Sequence, residues 1–184
     1  MKSVIIVYHS GYGHTQKQAN SVYEGAKSVD GVEAKIFSVT EIDAHWETLN
    51  AADAIIFGAP TYMGSVSAEF KKFMDASSKI WFTQKWLNKL SAGFTNSGSP
   101  SGDKFNSLVQ LATFAAQHGM TWVNLGLLPS NSINSTPADL NYSGSSFGAM
   151  AQSQHDAPSA PHSGDLATAH HLGKRVAEMS LKLL

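Results

Sequence analysis

Three short stretches carry residues able to bind and orient a ligand. The first is His9-Ser10-Gly11-Tyr12-Gly13-His14-Thr15, which follows a β-branched run and opens a helical pattern. Its small residues let successive backbone N–H groups turn inward, and a helix N-terminus adds about half a positive charge. The hydroxyls of Ser10 and Thr15 supply further donors, so the stretch reads as an anion cradle. It is not a Walker A loop, because no Gly-Lys-Ser/Thr follows. Nor is it the dinucleotide fingerprint, since Gly11 and Gly13 are followed by Gln16 in place of a third glycine. No Lys or Arg stands in the stretch, which suits one monoester phosphate better than a triphosphate with magnesium.

The second and third stretches are Pro60-Thr61-Tyr62-Met63-Gly64-Ser65 and Thr95-Asn96-Ser97-Gly98-Ser99-Pro100-Ser101-Gly102. Both are uncharged and rich in small residues, so their amides can press against the edge of a flat heteroaromatic ring. Either alone reads as an ordinary strand-to-helix turn. Gly98–Gly102 is not a serine-hydrolase elbow, because Pro100 occupies the central position that needs serine. His9 and His14 lack an HExxH pattern or clustered carboxylates, so no metal site is expected.

Alternating elements position these stretches. Apolar runs predict strands over Val4–Tyr8, Val32–Val39, Asp53–Ala59, Ser91–Thr95 and Thr121–Leu125. Helical spacing predicts helices over Thr15–Val29, Glu41–Leu49, Ala68–Ser78, Asp103–His118 and Leu166–Leu184. Such alternation implies an α/β three-layer sandwich around a parallel sheet, in one domain over residues 1–184. Ligands of such sheets bind outside the strand carboxyl ends, where all three stretches fall. Residues 129–165 break the rhythm. They hold no Lys or Arg and four of the six prolines, and read as a long loop beside the site.

Composition narrows the function. The chain has 184 residues and no cysteine, which excludes disulfide scaffolds, thiolate metal sites and cysteine nucleophiles. Thirteen Lys and Arg against fourteen Asp and Glu leave a net charge of −1, with no basic face for nucleic acid. No apolar run reaches the roughly 18 residues of a membrane span, so no membrane insertion is expected. The N-terminal apolar run is too short for a signal-peptide core, and the reading is cytoplasmic.

The segments YHSGYGHT, IIFGAPTYMGSVSAEFKKFMD and FTNSGSPSGDK, followed by HGM, resemble the flavodoxin-like, WrbA-type NAD(P)H:quinone oxidoreductases. The resemblance covers residues 3–126 and, weakly, the last helix. It implies a flavodoxin-like sandwich with a five-stranded 2-1-3-4-5 sheet and bound FMN. It further implies two-electron reduction of quinones by NADH or NADPH, and a homo-oligomer, dimer or tetramer. Carried over, Ser10, Gly11, Tyr12, Gly13, His14 and Thr15 hold the phosphate. Pro60, Thr61, Tyr62, Met63 and Gly64 line the isoalloxazine, and Asn96, Ser97, Gly98, Ser99, Ser101 and Gly102 hold the ribityl chain and pyrimidine edge. His118 matches a family active-site histidine and Trp81 an aromatic of the substrate cavity, with Tyr12 the third residue assigned to catalysis. The chain departs from the family at Met63, which replaces a usual aromatic, and over residues 129–165.

The implied reaction is ping-pong: nicotinamide and quinone occupy one flavin face in turn, with Tyr12 and Trp81 stacking a flat ring and His118 serving as proton donor. His118 would equally cap its helix, and Trp81 with Trp86 would equally pack an interface. Three other functions stay open. A flavodoxin-type electron carrier would favour a strongly acidic surface, which this chain lacks. A flavin or azo reductase differs only in its acceptor. A protein-binding module would use the fold without oxidising NAD(P)H. The only arginine, Arg175, offers no visible clamp for a nucleotide 2′-phosphate.

Overall fold

The computed structural model describes residues 1–154 and 159–183. Its elements are β1 (Lys2–Tyr8), α1 (His14–Lys27), β2 (Val32–Ser38), a 3-10 turn (Ile42–Ala44), α2 (Trp46–Ala51), β3 (Ala54–Tyr62), β4 (Ser65–Val66), α3 (Ala68–Ala76), α4 (Ser78–Phe82), β5 (Leu90–Ser97), α5 (Lys104–Gln117), β6 (Thr121–Trp122), β7 (Ala149–Gln152) and α6 (Ser163–Leu183). The sheet runs β2-β1-β3-β5-β6, with every neighbour on this path parallel. This is the expected doubly wound order.

The central strands are apolar throughout because helices cover both of their faces. Val4 and Ile6 of β1 join a core with Ala19 and Val22 of α1 and Leu172 and Val176 of α6. Ile5 and Val7 point the other way, into a core with Phe70 and Phe73 of α3, Leu108 and Leu111 of α5, and Trp86. Alternate side chains of a strand leave on opposite faces, so one run feeds two cores.

The fifth strand position differs from expectation. A strand over Thr121–Leu125 is only Thr121–Trp122, paired with Leu90 and Ser91. The position is completed by β7, which pairs Ala149–Gln152 with Phe94–Ser97. Residues 123–148 leave the sheet and return to it. So the expected 129–165 loop contains a strand, and α6 starts at Ser163 rather than Leu166. Residues 155–158 of that loop and Leu184 of the last helix lie outside the described residues.

Other boundaries shift for local reasons. The expected Glu41–Leu49 helix breaks into the 3-10 turn and α2, and the expected Ala68–Ser78 helix stops at Ala76. Ser77 turns the chain there, its Oγ donating to Met74 O at 2.7 Å. β3 extends through Tyr62 and forms a hairpin with β4, pairing Thr61 with Val66. β5 extends through Ser97. Among the described residues, no helix is long and apolar enough to cross a membrane.

Candidate functional site

The loop after β1, the end of β3 and the end of β5 converge on one crevice at the carboxyl edge of the sheet. It is a cleft of about 90 Å³, lined by Tyr12, His14, Thr15, Thr61, Tyr62, Asn96, Ser97, Gly98 and Ser153. The first eight come from the three stretches singled out in the sequence. Ser153 follows β7, and its N–H donates to Ser97 O at 2.9 Å. Its place depends on the split fifth strand, which no local pattern announces.

Ser10, Gly11, Tyr12 and Gly13 form the turn between β1 and α1, while His14 and Thr15 open the helix. Gly13 sits at the helix start with φ of 88°, a left-handed conformation that suits glycine. It brings no capping side chain. Ser10 Oγ does that work from upstream, accepting the N–H groups of Gly13 at 3.1 Å and Gln16 at 3.2 Å. His9 turns away instead, its Nδ1 2.8 Å from Ser67 Oγ.

Pro60, Thr61 and Tyr62 end β3, and Met63 and Gly64 form the hairpin turn with φ of 50° and 77°. Thr61 Oγ1 is 2.8 Å from Thr95 Oγ1 and from Ser107 Oγ, tying three elements under the crevice floor. Asn106 Nδ2 donates to Gly64 O at 2.6 Å, and Ser65 Oγ donates to Gln110 Oε1 at 2.8 Å. Helix α5 thus holds the hairpin in place. Tyr12 and Tyr62 meet edge to face at 6.2 Å across the mouth, with Tyr12 82% exposed and Met63 fully exposed beside them. Burial raises the Tyr62 phenol pKa, Tyr12 adds to this, and the Gly11 N–H opposes it. Tyr62 therefore stays a neutral hydroxyl.

Asn96 and Ser97 end β5; Gly98, Ser99, Ser101 and Gly102 form the loop into α5. Just past it stands Lys104, the first residue of α5 and not singled out in the sequence. It is 2% exposed and donates to Ser97 Oγ (2.8 Å), Ser99 O (2.9 Å) and Pro100 O (2.9 Å). A lysine two residues past a run of small residues was the available signal.

His118 and Trp81 do not reach this crevice within one chain. They line a separate cavity of about 480 Å³ with Met74, Ser77, Gln110 and Phe114. Lys104 opens the 14-residue α5 and His118 follows its last residue, which separates them by about 20 Å. His118 is 5% exposed, between Trp86 (ring centroids 4.4 Å apart) and Phe114 (4.9 Å). Ser77 Oγ spends its hydrogen on Met74 O, so it accepts from His118 Nε2–H at 2.9 Å. In that tautomer Nδ1 is a buried acceptor without a partner among the described residues. Burial lowers the imidazole pKa to about 4, so the ring is neutral near pH 7.

The donor set around the crevice suits a phosphate ester carrying a flat ring. Ser10, Thr15 and the amides of the β1–α1 turn suit the ester. Asn96 Oδ1 is buried without a partner among the described residues and suits a ligand hydroxyl. A Cβ built at Gly13, Gly64 or Gly98 meets nothing within 4 Å, so open space adjoins each loop. A parallel sheet with such a crevice at its switch point defines a flavodoxin-like mononucleotide-binding protein.

The chain belongs to the NADPH-dependent FMN reductase family, whose model matches residues 9–133. FMN and NAD(P)H are the cofactor and the electron donor of that family. The chain is 46% identical to flavodoxin FldP of Pseudomonas aeruginosa, over 100% of this chain and 99% of that one. It is 30% identical to an NAD(P)H dehydrogenase (quinone) of Syntrophobacter fumaroxidans, over 98% of each. The crystal structure of the flavodoxin, WrbA-like protein from Agrobacterium tumefaciens superposes with a TM-score of 0.79 at 42% identity, covering 99% of both chains.

Proposed function

We propose that the protein is an FMN-dependent oxidoreductase that passes two electrons from NAD(P)H to quinone-like acceptors. The balance is NAD(P)H plus a proton plus quinone giving NAD(P)⁺ plus hydroquinone. The observation that carries the reading is the convergence of three uncharged loops on one crevice with an aromatic mouth. FMN, when bound, supplies the hydride chemistry. Ser10, Thr15 and the N–H groups of Tyr12, His14 and Thr15 hold its phosphate, while the Gly13 N–H is taken by Ser10 Oγ. Asn96, Ser97 and the loop to Gly102 hold the ribityl chain and pyrimidine edge. Tyr12, exposed at the mouth, is the ring best placed to stack a flat nicotinamide or acceptor. His118 and Trp81 are left outside the hydride-transfer site of the single chain. No arginine is assigned to the nucleotide, since Arg175 Nε donates to Asn124 O at 2.9 Å.

A second reading, an electron carrier, is favoured by the name of the Pseudomonas relative, flavodoxin FldP. The near-neutral charge counts against it, because carriers steer their partners with a strongly charged face. Anaerobic titration of the FMN-loaded protein with NADH and NADPH, then benzoquinone, separates the two. Bleaching of the flavin by a nicotinamide and reoxidation by the quinone is expected of the reductase. A flavin that neither nucleotide reduces, and that dithionite holds as a long-lived one-electron form, would identify the carrier.

A further inference from the structure

The three loops carry no charge, yet a cation lies directly behind one of them. An ammonium has three N–H donors, and Lys104 uses all three on neutral acceptors: Ser97 Oγ, Ser99 O and Pro100 O. Among the described residues, the carboxylate whose charge acts on Lys104 is Asp165, 6% exposed, which shares a second cavity of about 240 Å³ with Lys104, Pro100, Gln152 and His162. Asp165 acts on Lys104 through its charge, and its Oδ2 is occupied by the Gln152 N–H at 2.9 Å. Burial lowers the Lys104 pKa to about 8 and Asp165 opposes that shift, so the amine is charged at pH 7. Burying a cation without a contacting counter-ion is costly, and such a cost is sustained where the charge acts on something else.

The loop between Ser97 and Gly102 is the wall between the two cavities. Ser97 and Gly98 line the crevice; Pro100 and Lys104 line the chamber behind it. In a trans peptide the carbonyl and the following N–H point in opposite directions. Drawing Pro100 O onto Lys104 therefore turns the Ser101 N–H away from the chamber. Gln152 Nε2, donating to Gly98 O at 3.2 Å, does the same for the Ser99 N–H.

We propose that Lys104 is the positioning residue of the cofactor site: it holds the 97–102 loop with amides turned to the crevice and lends the site a positive charge that favours the reduced, anionic flavin, while Asp165 sets how much of that charge is felt. The inference rests on the FMN reading above. It commits the two residues to effects of opposite sign. Removing the ammonium disfavours anionic reduced flavin, and removing the carboxylate favours it.

The test measures, at pH 7, the affinity for oxidised FMN and the two-electron midpoint potential of bound FMN in the wild type, Lys104→Gln and Asp165→Asn. Gln keeps donors toward the loop but no charge, and Asn keeps the acceptor for Gln152. The expected result for Lys104→Gln is an about tenfold weaker preference for reduced over oxidised FMN, a potential lower by about 30 mV. Asp165→Asn is expected to move the potential upward. A loosened loop would weaken binding without reversing the sign between the variants. An unmoved potential in Lys104→Gln, or shifts of the same sign in both, overturns the inference and leaves the FMN reading intact. Wild type that takes up no FMN defeats both. Should Lys104→Gln fail to fold, Asp165→Asn decides alone, with no upward shift as the overturning result.

Discussion

The Tyr62 hydroxyl stands directly over Gly11: a Cβ built at that glycine would lie 2.5 Å from Tyr62 Oη and 3.4 Å from Cζ. The contact joins the β1–α1 turn to the hairpin that follows β3. Gly11→Ala is expected to push aside the tip of a movable side chain, at a stability cost below about 1 kcal/mol. FMN binding is expected to weaken about tenfold, or about 1.4 kcal/mol. In a Tyr62→Ala background the same substitution should have little further effect, read by flavin fluorescence titration as a double-mutant cycle. An equal loss with and without Tyr62 would remove this contact as the cause.

Ser10 Oγ caps a helix and, in the proposed site, also serves the phosphate. Its Oγ accepts the N–H groups of Gly13 and Gln16 at the start of α1, where Gly13 supplies no cap. Ser10→Ala is expected to lower stability by about 1 kcal/mol, as loss of a helix cap does. It should weaken FMN more than it weakens riboflavin, which has no phosphate. Equal losses for the two ligands would separate Ser10 from the phosphate.

His118 makes the fold sensitive to acid. Its pKa is lowered to about 4 by burial, against 6.5 ordinarily. Between those values the unfolded chain binds a proton that the folded chain refuses, so stability rises with pH there. The contribution is complete above pH 6.5 and is lost as pH falls toward 4, at up to about 1.4 kcal/mol per pH unit. Urea unfolding of wild type and His118→Gln at pH 7.5, 6 and 5 reads this as a difference in slope. Parallel curves would refute it.

Helices α1 and α6 meet through glycine. A Cβ at Gly173 would fall 1.9 Å from Val22 O, and one at Gly25 would fall 1.9 Å from His170 O. Both obstacles are backbone, so relief requires the helices to separate and open the core around Val22, Leu172 and Val176. Gly173→Ala is expected to cost about 3 kcal/mol, the upper part of the overpacking range. Thermal melting checks it, and an unchanged midpoint would mean the helices slide apart freely.

The local code is strong wherever a segment's environment is uniform along its length. Val4–Tyr8 and Ala54–Ala59 announce themselves because both faces of a central parallel strand are buried, leaving no polar position to blur the run. The crevice loops announce themselves because amides can approach a ligand closely only where side chains are small. From this the sequence by itself determined the doubly wound α/β class and eight of the nine residues lining the crevice, while the strand order came with the family resemblance.

Tertiary structure decided what depends on distant partners. The strand Ala149–Gln152 has four residues and no β-branched side chain; it forms because β5 offers a free edge along Phe94–Ser97. Beside it, a Cβ at Gly148 would lie 2.3 Å from Gly93 O, so only glycine admits that approach. Lys104 is locally only the second residue of the helix expected over Asp103–His118, and only the return of β7 and α6, with Asp165, closes a chamber around it. His118 shares an end of α5 with no crevice residue, since a helix sends its two ends to opposite edges of the sheet. Burial and charge pairing arise between segments far apart in the chain, and no local pattern records which segments will meet.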